Sequence, residues 1–178
     1  AHLSLGRKDA FMGDLESSFA IYESLGLGEQ AARVAADIAY LFVWDARPSK
    51  VSAIVARALE LLGEDETPGR SQLLSAQGLA HTIGRQPGRA EACHDDAVAL
   101  ARKLGQPDLL ADVLQNQALA NWQRLAGRWQ SEPAREAGDY RRRHHQEWNL
   151  GHCLWMEKAG LAFAGQFDTA LRIDEELT

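Results

Sequence analysis

Residues 140–155, YRRRHHQEWNLGHCLW, crowd three arginines, three histidines, a cysteine and two tryptophans into one short stretch. Histidine and cysteine are zinc ligands, and arginine grips phosphate or carboxylate. A zinc site here requires His145, His152 and Cys153 to converge, yet the stretch has none of the paired spacings that bring zinc ligands together. Cys153 also steps at helical spacing with Met156, Gly160 and Phe163, which predicts burial as a small hydrophobe. Three consecutive arginines on a helix point in three directions, so Arg141, Arg142 and Arg143 do not all face one phosphate. They suit the last turn of a helix, where cations complement the free carbonyls and the negative end of the dipole. Leu150-Gly151 then marks a seam, one helix ending near Trp148 and the next beginning near His152. The stretch reads as a helix junction with a basic C-terminus; an anion-binding patch of Arg141, Arg142 and Arg143 is the alternative reading.

Other chemistry-bearing stretches resolve in the same direction. In CHDD (93–96), Cys93 lies on an apolar stripe while His94 and Asp95 point elsewhere, so the ligands do not share a face. GLGEQA (26–31) matches the letters of a dinucleotide fingerprint, but that motif needs a preceding strand, and LESSFAIYESL has helical spacing. It reads as another helix junction. No Walker loop, His-Glu-x-x-His or Gly-x-Ser-x-Gly occurs, and the acidic runs GEDET and IDEEL read as solvated faces or helix ends. No catalytic residue, metal or cofactor is assigned.

The elements that position these residues recur along the chain. Leu-Gly pairs fall at Leu25-Gly26, Leu62-Gly63, Leu104-Gly105 and Leu150-Gly151, and a second series at Gly6, Gly84, Gly127 and Gly165 marks the middle of each unit. Its missing member falls near residue 45, where WDARPSK supplies a proline turn. Pro48, Pro68, Pro87, Pro107 and Pro133 each follow a mark shortly afterwards. Glycine suits the left-handed residue just past a helix end and proline the first turn of the next, so each mark reads as stop and start. Between the marks the apolar residues step by three and four: Val51, Ile54, Val55, Ala58, Leu61 and Leu62 in one segment, Ala90, Cys93, Ala97, Ala101 and Leu104 in another. The chain is therefore predicted to be all-α, in antiparallel helix pairs of about 40 residues that must stack to bury their apolar faces.

Bulk properties agree with such a core. Of 178 residues, 46% are hydrophobic and 25% charged, enough for a packed interior. A formal net charge of −6 argues against direct nucleic-acid binding. Two cysteines do not make a disulfide framework, and neither a membrane span nor a signal peptide is evident, so a cytoplasmic setting is expected.

FAGQFDTALRIDEEL, with Gly165, Phe167, Ala170 and Leu171, resembles the Gly-x-aromatic-x-x-Ala-Leu turn of the tetratricopeptide (TPR) family in its longer-period bacterial form. Gly127-Arg128-Trp129 repeats half of that turn, and Gly84 and Ala90 a weaker version; at the N-terminus either Gly6 or Gly13-Asp14-Leu15 could supply it. The Ala- and Leu-rich units ending in Leu-Gly are most similar to the helical sensor regions of MalT-like, LuxR-type bacterial transcription activators and multidomain nucleotide cyclases, with peptide-pheromone receptors a second relative. The resemblance implies a right-handed α-solenoid of about four helix pairs. It makes residues 1–178 a single repeat domain with units near 1–26, 27–63, 64–105, 106–150 and 151–178, cut from a longer chain or exposing terminal faces that favour a homodimer. In that architecture the aromatic Phe167 seats the second helix. Most of the five tryptophans are expected in the core.

First helices line the inner curve of such solenoids. The resemblance places Gln117, Asn121 and Arg124 on that face, with His81, His152 and Trp155 from neighbouring units. A polar row flanked by an aromatic suits a peptide, a protein segment or a small-molecule inducer. The expected function is thus a non-catalytic binding module in a bacterial signalling or transcriptional regulator. A stand-alone protein–protein adaptor and an enzyme with an unrecognised site are the other readings.

Overall fold

Prolines and left-handed residues set the helix ends. The structure is a computed structural model that describes residues 8–124 and 131–176. Among the described residues it contains nine α-helices and no strand. They are α1 (Lys8–Ser24), α2 (Gly28–Trp44), α3 (Pro48–Leu62), α4 (Pro68–Ile83), α5 (Pro87–Leu104), α6 (Pro107–Arg124), α7 (Glu132–Arg143), α8 (Glu147–Phe163) and α9 (Phe167–Glu176). Pro48, Pro68, Pro87 and Pro107 are the first residues of their helices and Pro133 the second of α7, where a missing N–H leaves no hydrogen bond unmade.

Five of the junctions share one hydrogen-bond pattern. Leu27 N–H donates to the Tyr22 carbonyl at 2.9 Å and Gly26 N–H to Glu23 at 3.1 Å. The same six-to-one and five-to-two bonds recur at Ala46–Arg47, Arg85–Gln86, His145–Gln146 and Gly165–Gln166. This is the Schellman motif, which requires a left-handed residue. Glycine fills that position at Gly26 and Gly165, with φ of 67° and 77°, but Ala46, Arg85 and His145 fill it elsewhere with φ of 53°, 56° and 53°. A side chain in that region costs about 1 kcal/mol, which the surrounding packing must offset. The turn expected near residue 45 is therefore present at Ala46.

Two marks are corrected. Leu150-Gly151 lies inside α8; the seam falls at His144–Gln146, with His145 left-handed in place of a glycine. A Cβ at Gly151 would meet nothing within 4 Å, so this glycine makes no close approach and is no helix stop. Gly13-Asp14-Leu15 lies within α1 and is not a turn. The marks at Gly6-Arg7 and Gly127-Arg128-Trp129 fall outside the described residues.

The chain divides into two compact units, one reaching Leu100 and the other beginning at Ala101. In the first, consecutive helices α1 to α4 pack on one another and α2 also packs on α4. Small residues permit the close approach: Ala31, Ala32, Ala35 and Ala39 of α2 are fully buried, and a Cβ at Gly69 would lie 2.6 Å from that of Ala32. Gly69 N–H donates to the Glu29 carboxylate at 3.0 and 3.2 Å, placing an anion at the positive end of α4. Val51, Val55, Ala58 and Leu62 of α3 are buried, while Ile54 and Leu61 lie at the edge of the stripe.

On α5 the stripe differs from the one expected. Ala90, His94, Ala97, Val98 and Ala101 are buried, and Cys93 is only half-buried. His94 is admitted because Gly78 of α4 has no side chain there; a Cβ at Gly78 would sit 2.7 Å from the imidazole Nε2. Steps of four, three and four residues select His94 over Cys93, a rotation of one residue around the helix.

In the second unit α6 packs on α7 and α8, α7 on α8, and α8 on α9. Val113, Leu114, Ala118, Ala134, Ala137, Cys153, Leu154 and Met156 form its core. Burying a Leu or Val side chain contributes roughly 1.5–3 kcal/mol. Gly138 of α7 faces Cys153, with 3.4 Å between its ideal Cβ and that of the cysteine. The burial expected for Cys153, Met156 and Gly160 holds, but Phe163 and Phe167 are exposed. Phe167 therefore does not seat α9 in a core; the buried residue there is Ala170. No helix among the described residues is long and apolar enough to cross a membrane.

Candidate functional site

The basic run splits as soon as it is placed on α7. Arg141 is 3% exposed, and its guanidinium donates to the Asp112 carboxylate of α6 and to the Gln146 side-chain oxygen. Gln146 Nε2 in turn donates to Asp108 at 3.2 Å. The Tyr140 hydroxyl also bonds Asp108, and its ring stacks on His144 at 4.2 Å between centroids. This clasp joins α6, α7 and the turn into α8. Arg142 pairs with Asp139 at 2.9 Å, and Arg143 Nε donates to the Asp139 carbonyl at 3.0 Å. The anion patch of Arg141, Arg142 and Arg143 is thus corrected: its first member is buried in a structural network, and the other two turn to Asp139.

The clasp has its own electrostatics. The Tyr140 hydroxyl, then Gln146, hold the Asp108 carboxyl below the usual carboxylate range, and the same contact raises the Tyr140 phenol. Asp112 sits at the rim, about half of its side chain accessible. Protein crowded around it raises its pKa, and the Arg141 hydrogen bond opposes the rise. Cys153, beneath this layer, is pushed up to about 11 by burial.

The residues expected to line a groove fall in both units. His81 lies on α4 of the first unit, half-buried, its Nε2 accepting from Gln77 at 3.1 Å; the same amide nitrogen donates to Ser52 of α3 at 3.0 Å. Gln117 and Asn121 lie half-buried on α6 of the second unit, and the Asn121 amide nitrogen is buried with no hydrogen-bond partner among the described residues. The Arg124 side chain lies outside the described residues. His152 and Trp155 lie on α8, which packs on α6, so Gln117, Asn121, His152 and Trp155 belong to two adjacent helices.

Trp148 joins them, a residue the sequence reading assigned to no site. It is 82% exposed, Trp155 is 43% exposed, and His152 stands between them at spacings of four and three residues, so the three share one face of α8. The His152 ring meets Trp148 edge-on at 5.4 Å, and its Nδ1 lies 3.1 Å from the Trp148 carbonyl. The expectation of core tryptophans is overturned for Trp44 and Trp148, both exposed, while Trp155, expected on the groove face, is exposed as well; the side chains of Trp122 and Trp129 lie outside the described residues. Spacing alone contained the signal, since Trp148 falls off the stripe of Cys153, Met156 and Gly160. Among the described residues no three His, Cys, Asp or Glu side chains gather to hold a metal ion.

What the fold and this face define together is an all-α protein of repeated helix junctions presenting exposed aromatic side chains. No protein-family model matches the chain, and no curated protein matches it.

Proposed function

We propose that this chain is a non-catalytic binding module: a right-handed, TPR-like α-solenoid of about four helix pairs that holds a peptide or protein segment on α6 and α8. Support for the repeat reading comes from the recurring Schellman junctions and from the packing of α2 on α4 and α6 on α8, as neighbouring first helices pack in such repeats. The observation that carries the binding reading is the exposed face of Trp148, His152 and Trp155 on α8. Indoles left in water on a helix face supply the large rigid contact area that dominates recognition energetics. Gln117 and Asn121 on α6 add amide groups suited to a peptide backbone.

The test is selection from a phage-displayed random peptide library, followed by titration of the winning peptides. Binding should be lost in the Trp148→Ala/Trp155→Ala protein and weakened in Asn121→Ala, with helical circular dichroism unchanged. Peptides that bind wild type and both variants equally overturn the assigned face. By its resemblance to sensor regions the module belongs in a bacterial regulator, with a stand-alone cytoplasmic adaptor as the second reading. Immunoblotting of the native polypeptide separates them: a regulator runs far above the 19.6 kDa of these residues, and an adaptor runs near it.

A further inference from the structure

We infer that a cleft between α1 and α3 in the first unit is a binding site for a small apolar zwitterion, of the chemical class of a free apolar amino acid. The cleft measures about 330 Å³, which is within the range of small-molecule sites. Its floor is apolar, built from Phe19, Ile38, Phe42 and Ile54. One end is closed by Arg57 of α3, which bonds Glu23 of α1 at 2.6 and 3.3 Å and lies 5.0 Å from the Phe19 ring. The side chains of Lys8 and Asp45 meet at the start of both helices, so α1 and α3 run in the same direction.

Two turns back from the Arg57–Glu23 pair, the same register brings Lys50 and Glu16 to opposite walls, roughly 10 Å along each helix. Both line the cleft, and among the described residues neither makes a direct ion pair, although Lys50 is near enough to Asp45 to act on its carboxyl. Lys50 instead lies over the Phe42 ring at 5.2 Å. At one level the walls meet in an ion pair; at the next the two charged side chains line the cleft without joining. A simple anion is attracted by Lys50 and repelled by Glu16, and a simple cation the reverse. A ligand carrying both charges beside an apolar body satisfies both walls and covers the floor. This is why the charge pattern selects a zwitterion over a fatty acid or an alkylamine.

The experiment compares L-phenylalanine, 3-phenylpropionate and 2-phenylethylamine, which share the ring and differ in charge, by amide chemical-shift titration of the whole chain. L-Phenylalanine should shift the signals of Phe19, Phe42 and Ile54, with each singly charged analogue about two- to fivefold weaker, as expected for one exposed ion pair. Lys50→Gln should remove the preference over 2-phenylethylamine and Glu16→Gln the preference over 3-phenylpropionate. Ile54→Trp, which fills the cleft, should abolish all three. Absence of shifts at millimolar L-phenylalanine overturns the inference. So does equal binding of the three probes, which marks an unselective apolar slot, or a preference that survives both charge variants.

Discussion

Cys153 offers a quantitative test of how the second unit is packed. Its side chain is fully buried, with Sγ 3.8 Å from Gln115 Oε1 of α6 and Cβ against Gly138 of α7. Burial pushes the thiol to about 11. Only the thiolate attacks a disulfide reagent. At pH 8 a thiol at about 11 is ~0.1% ionised, against roughly a quarter for an unperturbed cysteine near 8.5. That difference alone slows labelling by a factor on the order of 200, and waiting for the helices to open slows it further. The assay is absorbance-monitored reaction with an aromatic disulfide at pH 8 in Cys93→Ser, so that every thiol counted is Cys153. The rate should lie at least ~100-fold below that of a free thiol and rise to the free value in denaturing urea. Labelling of the native protein within about tenfold of a free thiol refutes the buried placement, and with it the contact between α7 and α8.

Gly78→Ala should destabilise by about 1–3 kcal/mol, read as a lower urea midpoint, because the buried His94 ring cannot retreat from the new methyl group; the ~1 kcal/mol of added helix propensity is smaller. Equal or greater stability would place His94 elsewhere. Arg141→Ala should destabilise by about 2 kcal/mol, less than for a wholly buried pair because Asp112 keeps contact with water; an unchanged midpoint would mean that the clasp holds nothing. Asp108 is held below the usual carboxylate range in the folded state, so its contribution is complete above about pH 4 and is lost as pH falls through the depressed pKa. Tyr140→Phe removes the first cause of that depression, so thermal melts on the acid side should lose less stability with falling pH than wild type. An identical acid profile would rule out the Tyr140–Asp108 bond.

Which parts of the structure could be read from the residues follows from the range of the forces involved. Helix, stop and start are local events: proline has no N–H wherever it stands, and glycine enters the left-handed region almost freely. The all-helical class, the helix starts at Pro48, Pro68, Pro87 and Pro107, and the junctions at Gly26, Gly63, Gly105 and Gly165 were legible for that reason. The junction marked at Gly84 was legible too, although its left-handed residue is Arg85; the one at His145 was not, since a non-glycine residue takes a left-handed conformation only when the flanking helices are held in place by packing. The mid-helix Gly151 misled in the opposite sense.

Side-chain roles needed the neighbours. Arg141 looked like its two successors in the sequence, and only the approach of Asp112 and Gln146 separates a buried clasp from exposed cations. His94 looked polar and outward until Gly78 of another helix made room for it. Trp148 and Trp155 could be core or surface on composition, and the choice depends on whether another helix covers that side of α8. Along the chain, then, the residues by themselves determined the alternation of helices and turns, because backbone stereochemistry acts over a few residues. Tertiary structure alone decided which polar groups are consumed internally and which aromatic rings are left exposed, because burial is a property of what lies across the helix.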